Sequence, residues 1–293
     1  MKKSILLAAA LMAAVLTTKA QDISFGFDAG AEVVTSYLWR GMNCGGLSFQ
    51  PTATVGFDAA DEKIKFRVGA WANLGASDWK FRFNAEQLFG GEGNPNTHFV
   101  PELDVIGSIS VYGLWIGFTH YYYFGGTPFF SGLEDDGGSQ TEISCGFDLA
   151  EVVPNVGLYF NWNTMIAGND CYYAMEQTEL GEEEVAHRAW SSYIEVGYRQ
   201  PLPLEMSLSV AVGMTPWRSL YTNYQGGFAV NNISLRYGKV FELADFCSLE
   251  LFALGSLNTY GLNKDNVFVW EAGDLKLGIA QRLNGCIGVG VWF

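Results

Sequence analysis

Two kinds of position alternate along most of this chain. From Met206 to Met214, every second residue is apolar: Met206, Leu208, Val210, Val212 and Met214. Ser207, Ser209, Ala211 and Gly213 between them are small. A period of two puts the two sets on opposite faces of a strand. The pattern recurs. Ile64, Phe66, Val68, Ala70, Ala72 and Leu74 alternate with Lys65, Arg67, Gly69, Trp71 and Asn73. Leu103, Val105 and Ile109 alternate with Glu102, Asp104, Ser108 and Ser110. Strands are predicted at 23–39, 47–58, 63–75, 99–111, 114–124, 140–150, 155–166, 189–199, 204–214, 228–240, 246–257 and 286–293. That even set of twelve fits an up-and-down antiparallel transmembrane β-barrel, with fourteen strands as the alternative. Leu275, Leu277 and Ile279 also alternate, but Asp274 as N-cap and Asn284-Gly285 as a stop predict a short helix from Asp274 to Leu283.

The connections fall into two sizes. Short ones include Ala60-Asp61-Glu62, Tyr112-Gly113, Pro154-Asn155 and Gln200 to Pro203. Long ones span Ala76 to Thr97, Gly125 to Ser139 and Gly168 to His187. Short and long alternate along the chain, as in barrels with short periplasmic turns and longer extracellular loops. A soluble β-sandwich has no reason to sort its loops this way.

Lys2 and Lys3, the apolar run from Ile5 to Leu16 and the small residues flanking Lys19 read as a signal peptide over residues 1–20. The run is too short to cross ~30 Å of hydrocarbon as a helix. Residues 21–293 are then a single barrel domain, destined for the outer membrane of a Gram-negative bacterium. Composition agrees. Glycine is abundant at 35 residues, aromatics reach 15% and charged residues only 16%, which suits a β-protein with an apolar exterior. The 31 acidic residues outnumber the 17 basic ones, which excludes a nucleic-acid surface.

Aromatic residues near the predicted strand ends suggest interfacial girdles: Tyr37, Trp39, Trp115, Tyr122, Trp190 and Tyr198. At the C-terminus, Ile287, Val289, Val291 and Phe293 alternate with Gly288, Gly290 and Trp292. This last strand resembles the recognition signal of bacterial outer-membrane barrels. The resemblance implies the barrel-assembly machinery as a partner, alongside the outer-membrane lipids.

The run Val34-Thr35-Ser36-Tyr37-Leu38-Trp39-Arg40-Gly41, with Ser48-Phe49-Gln50-Pro51, resembles the TorF-type porin family in its Bacteroidetes-type version. It lacks the acidic residue often found there between Ser36 and Tyr37. Asn231-Asn232-Ile233-Ser234-Leu235 is similar to a second, weaker motif of that family. The resemblance implies a barrel and a pore, with no set substrate.

If the apolar face meets lipid, the charged positions face the lumen. They are Asp28, Glu32, Arg40, Lys65, Arg67, Glu102, Asp104, Glu142, Asp148, Glu195, Arg199, Arg236 and Glu250. The acids among them outnumber the bases, which suggests a mild preference for cations. By strand parity, Tyr37 and Trp39 face lipid, while Ser36 and Arg40 face the lumen near the rim. There Arg40 could pair with a loop acid and hold that side shut or shaped.

Other chemistry finds little support. The only histidines are His98, His120 and His187, and no GxSxG or Ser/His/Asp set can be assembled from them. His120 alone points towards lipid near the rim, where a lipid hydrolase would hold its base. The five cysteines are widely spaced without CxxC, and no metal or cofactor is expected. The expectation is a porin-like barrel passing small solutes. A lipid-modifying hydrolase barrel and a structural or adhesion barrel with functional outer loops are the alternatives.

Overall fold

The computed structural model describes residues 23–75, 101–124, 129–133, 139–178, 181–222, 224, 227–258, 269–271, 274–276 and 283–293. The signal-peptide expectation, His98 and much of the long loops at 76–100 and 259–282 lie outside these residues.

Twelve antiparallel strands close into one barrel. In chain order they are β1 (Ser24–Val34), β2 (Ser48–Ala59), β3 (Ile64–Gly75), β4 (Glu102–Val111), β5 (Leu114–Tyr123) and β6 (Ser139–Asp148). Then follow β7 (Leu158–Gly168), β8 (Ser192–Leu202), β9 (Met206–Thr215), β10 (Ala229–Ala244), β11 (Cys247–Leu257) and β12 (Leu283–Trp292). Each strand pairs with its neighbour in sequence, and β1 pairs with β12 to close the ring. The last residue completes the seam: Phe293 and Ala29 exchange backbone hydrogen bonds of 2.8 and 3.3 Å.

The period-two pattern becomes two surfaces. Phe27 (65% exposed), Leu235 (50%) and Ile287 (63%) stand on the outer face with Val55, Val68, Ile116, Val196 and Val210. Two shallow apolar depressions of about 520 and 340 Å³ lie among these outward residues. The inner face is polar and, in places, lined by rings. On it an aromatic side chain of one strand lies over a glycine of the next, as with Tyr159 over Gly197 and Tyr193 over Gly213. A Cβ at Gly197 would sit 2.3 Å from its ring and one at Gly213 2.4 Å, so glycines on this face make room for aromatics.

The strand ends sort as the loops predict: the start of β1, the end of β12 and the short turns share one end of the barrel, and the strand ends that the long connections join share the other. At the short-turn end, Tyr112 (φ 49°) and Gly113 (φ 78°) form a two-residue hairpin turn, and a Cβ on Gly113 would collide with the Asp148 carbonyl.

Two expectations are corrected. The first predicted strand does not run to residue 39. It ends at Val34, and Tyr37–Trp39 pairs instead with Met42–Gly45 in a separate small hairpin. The helix expected from Asp274 to Leu283 is not formed where the structure describes it. Asp274–Lys276 is a strand paired with Val269–Glu271, and Leu283 already belongs to β12.

Candidate functional site: a lumen crossed by the first loop

The hairpin of residues 37–45 folds inward rather than standing out from the rim. Its turn is Arg40-Gly41, with φ of 50° and 84°. A two-residue hairpin loop with both φ positive matches the twist of its strands. Glycine takes such a backbone freely; arginine does so at a cost of ~1–2 kcal/mol. Space adds a second constraint, since a Cβ on Gly41 would meet Asn232 at 3.0 Å. Thus the segments 34–41 and 231–235, distant in sequence, lie against each other in space.

One side of the hairpin rests on the wall formed by β1, β11 and β12. Leu38 packs, with Leu254, against the buried group Val34, Phe252 and Cys286. Asn284 Nδ2 donates to the Gly41 carbonyl at 3.1 Å. Tyr37 packs against Trp71 of β3, the rings tilted at 49° with centroids 5.4 Å apart. The other side reaches β6, the strand opposite β12 in the ring. Arg40 Nη1 and Nη2 donate to the two oxygens of Glu142 at 2.5 and 2.8 Å. This is a bidentate guanidinium–carboxylate pair, the geometry that suits arginine best. Nη1 also hydrogen-bonds the Tyr221 hydroxyl.

Glu142 is 1% exposed and is held independently of Arg40. Tyr121 Oη donates to it at 3.1 Å and Ser144 Oγ at 3.2 Å. Three rings line the guanidinium: Trp39 at 4.8 Å, Tyr193 at 5.0 Å and Tyr221 at 5.6 Å. Beside this cage, β4 turns Glu102 and Asp104 inward, 4% and 7% exposed. Glu102 is hydrogen-bonded to Tyr37 of the hairpin and to Tyr123. In the fourth long loop Asp170 is fully buried and accepts from Ser191 N and Oγ at 2.8 and 2.5 Å. Burial pushes its carboxyl above the usual range, against those hydrogen bonds. Ser191 Oγ in turn accepts from Leu220 N at 2.8 Å, which fixes the turn that carries Tyr221.

The half of the lumen towards the short turns differs. Its inward charges form partly exposed ion pairs. Arg67 meets Asp58 at 2.6 Å and lies 3.8 Å from Asp28. Arg199 meets Asp148 at 2.6 Å and Arg236 meets Glu250 at 2.7 Å. Glu32 lies in the field of Arg236 and Glu250. Glu195 sits higher, accepting from Tyr159 at 3.0 Å and Tyr193 at 2.7 Å. The inner wall therefore passes from a half-open charged vestibule to a densely packed polar and aromatic layer.

The partner of Arg40 is thus an acid of the barrel wall, not of a loop. The girdle expectation is corrected for three residues. Tyr37 is buried inside, and Trp39 lies between Tyr121 and Tyr221 at 5.6 and 5.5 Å. Both leave the wall because β1 ends before them. Trp115 shares the inward parity of Gly117 and Tyr121, with Nε1 against the inward face of Gly146. Tyr122 faces outward among Phe124 and Phe129, Tyr198 lies outward near the short turns, and Trp190 is exposed near the long loops. Val289 and Val291 lie on the outer side of β12, and Phe293 is exposed at its end.

His120 has outward parity but is not open to lipid. It is 5% exposed, covered by Phe129 and Phe130 at ring distances of 4.4 and 5.0 Å. Its Nδ1 lies 2.8 Å from Thr141 Oγ1 and its Nε2 2.9 Å from the Phe129 carbonyl. A carbonyl only accepts, so Nε2–H donates to Phe129, while Nδ1 is hydrogen-bonded to the Thr141 hydroxyl. The histidine clips the 129–133 segment to the outer wall. Among the described residues, no group of three His, Cys, Asp or Glu side chains could hold a metal ion.

No family model matches the chain, and no curated protein matches it. Solved barrels resemble it in outline. The translocator domain of the autotransporter NalP from Neisseria meningitidis has a TM-score of 0.36 at 12% identity, covering 99% of this chain and 97% of that one. Salmonella typhi OmpF, in complex with daunomycin, has a TM-score of 0.34 at 8% identity, covering 92% and 97%. The Ralstonia pickettii toluene transporter TbuX has a TM-score of 0.34 at 10% identity, covering 92% and 88%. At this degree of likeness, neither the activity nor the cargo of those proteins transfers to this chain.

Proposed function

We propose that this chain is a porin-like barrel of a Gram-negative outer membrane, carrying small solutes and preferring cations mildly. Its first loop would restrict the lumen. The observation that carries the reading is the inward hairpin: a loop tied to opposite walls across a polar lumen is a natural constriction. The apolar outer face supports a lipid environment. The alternation of short turns and long loops supports an orientation with the long loops outside the cell. The excess of inward acids supports the cation preference. Signal peptide, C-terminal strand and the resemblance to TorF-type porins fit export and insertion by the assembly machinery.

A barrel serving only adhesion has no need for charged vestibule and constriction in one lumen. A lipid hydrolase would need its base open to substrate, whereas the His120 ring is 5% exposed beneath Phe129 and Phe130. The test is a reversal-potential measurement across a KCl gradient with the refolded protein in a planar bilayer. A potential of cation-selective sign is expected. An anion-selective sign would overturn the preference, and absence of any conductance would overturn the channel.

A further inference from the structure

The cage around Arg40 is built mainly from parts that do not belong to the hairpin. Glu142 and Ser144 come from β6, Tyr121 from β5, Tyr193 from β8 and Tyr221 from the turn before β10. Glu142 stays oriented by Tyr121 and Ser144 whether or not a guanidinium is present. The wall therefore offers a preorganised carboxylate flanked by electron-rich ring faces, the chemistry that recognises guanidinium and ammonium ions.

We infer that this cage is a lumen binding site for guanidinium- or ammonium-bearing solutes, and that Arg40 is a tethered stand-in filling it until a solute takes its place. The inference rests on the channel reading above and names its substrate class. Two further observations carry it. Arg40 reaches the cage from a left-handed backbone, φ 50°, which an arginine adopts only under constraint. The neighbourhood also holds more carboxyl groups than the one guanidinium can pair. Glu102 and Asp104 are buried close by, and Asp104 Oδ1 has no hydrogen-bond partner. A solute bearing N–H donors can satisfy that oxygen, and an anion cannot. Finally, a tethered competitor weakens the net affinity for a free solute without weakening discrimination. Conduction needs such a site, favourable enough to enter and weak enough to leave.

The test uses the full refolded barrel in detergent, titrated calorimetrically with agmatine and, separately, with the neutral butylurea. Arg40→Ala removes the tethered competitor and Arg40→Gln does so at closer to native volume. Gel migration before and after boiling verifies that each variant is folded. Agmatine is expected to bind either variant about tenfold or more tightly than the wild type. Adding Glu142→Gln should abolish that binding, and butylurea should not bind. Equal agmatine affinity in wild type and both Arg40 variants would overturn the inference. So would binding that survives Glu142→Gln, or butylurea binding as tightly. Because no flux is measured, a barrel that conducts but fails here overturns the site alone. One that binds agmatine but never conducts keeps the site and loses the channel.

Discussion

Arg40→Ala should loosen the first-loop hairpin while leaving the barrel wall intact. The substitution leaves Glu142, 1% exposed, without its bidentate partner. Removing one member of a buried ion pair typically costs about 3–5 kcal/mol. Tyr121 and Ser144 still donate to the carboxylate, which places the cost near the lower end, about 3 kcal/mol. Alanine in the same left-handed turn recovers little of the backbone cost, since it too carries a Cβ. At about 1.4 kcal/mol per factor of ten, local opening of the hairpin should become roughly 10²-fold more frequent. Hydrogen exchange read by mass spectrometry on peptides covering 37–45 and 206–215 measures it. Faster exchange is expected in the hairpin alone. Unchanged hairpin exchange would refute the role of the pair. A uniform rise in both peptides would show that the pair supports the wall rather than the loop.

Three other outcomes follow from the same geometry. Val55→Lys places a charge on the outer face and should cost about 2 kcal/mol in urea unfolding from lipid vesicles. Thr54→Lys, one residue away but beside Asp28 in the lumen, should cost less than half as much. Equal costs would contradict the assignment of faces. His120→Ala should expose the 129–133 segment to protease and leave lipid ester hydrolysis at the background level. Hydrolysis present in the wild type and lost in the variant would revive the enzyme reading. Deleting Phe293 removes the paired end of the seam with Ala29, and should lower the fraction of protein that shows a heat-dependent shift on a gel. An unchanged fraction would show that the seam closes without it.

Most of the wall was legible because a period-two pattern survives wherever one face must be apolar. The twelve strands stand close to their predicted ranges, and the sorted loops already gave the two ends of the barrel. The first hairpin was not legible for the same reason. Val33, Thr35, Tyr37 and Trp39 extend the alternation of β1 beyond its true end, so a break at Thr35-Ser36 leaves no trace in the pattern. Arg40-Gly41 was the available signal, but arginine is a poor marker for a turn that needs positive φ. Trp115 was different: the outward set Leu114, Ile116 and Phe118 already placed it inside by parity, and proximity to a strand end misdirected it. Glu142 could be assigned to the lumen, yet its pairing with Arg40 joins residues 102 positions apart, which local pattern cannot show. Nor could the sequence show that His120, outward by parity, is covered by two phenylalanines of the following loop.

Conductance in planar bilayers tests the central claim most directly, with the wild-type barrel compared against a variant in which residues 37–45 are replaced by a short Gly-Ser linker. The hairpin ties opposite walls of the lumen together, so the wild type should show low conductance and the variant discrete, clearly larger steps. Identical steps in the two proteins would contradict the account, because the inward hairpin would then not be what restricts the lumen.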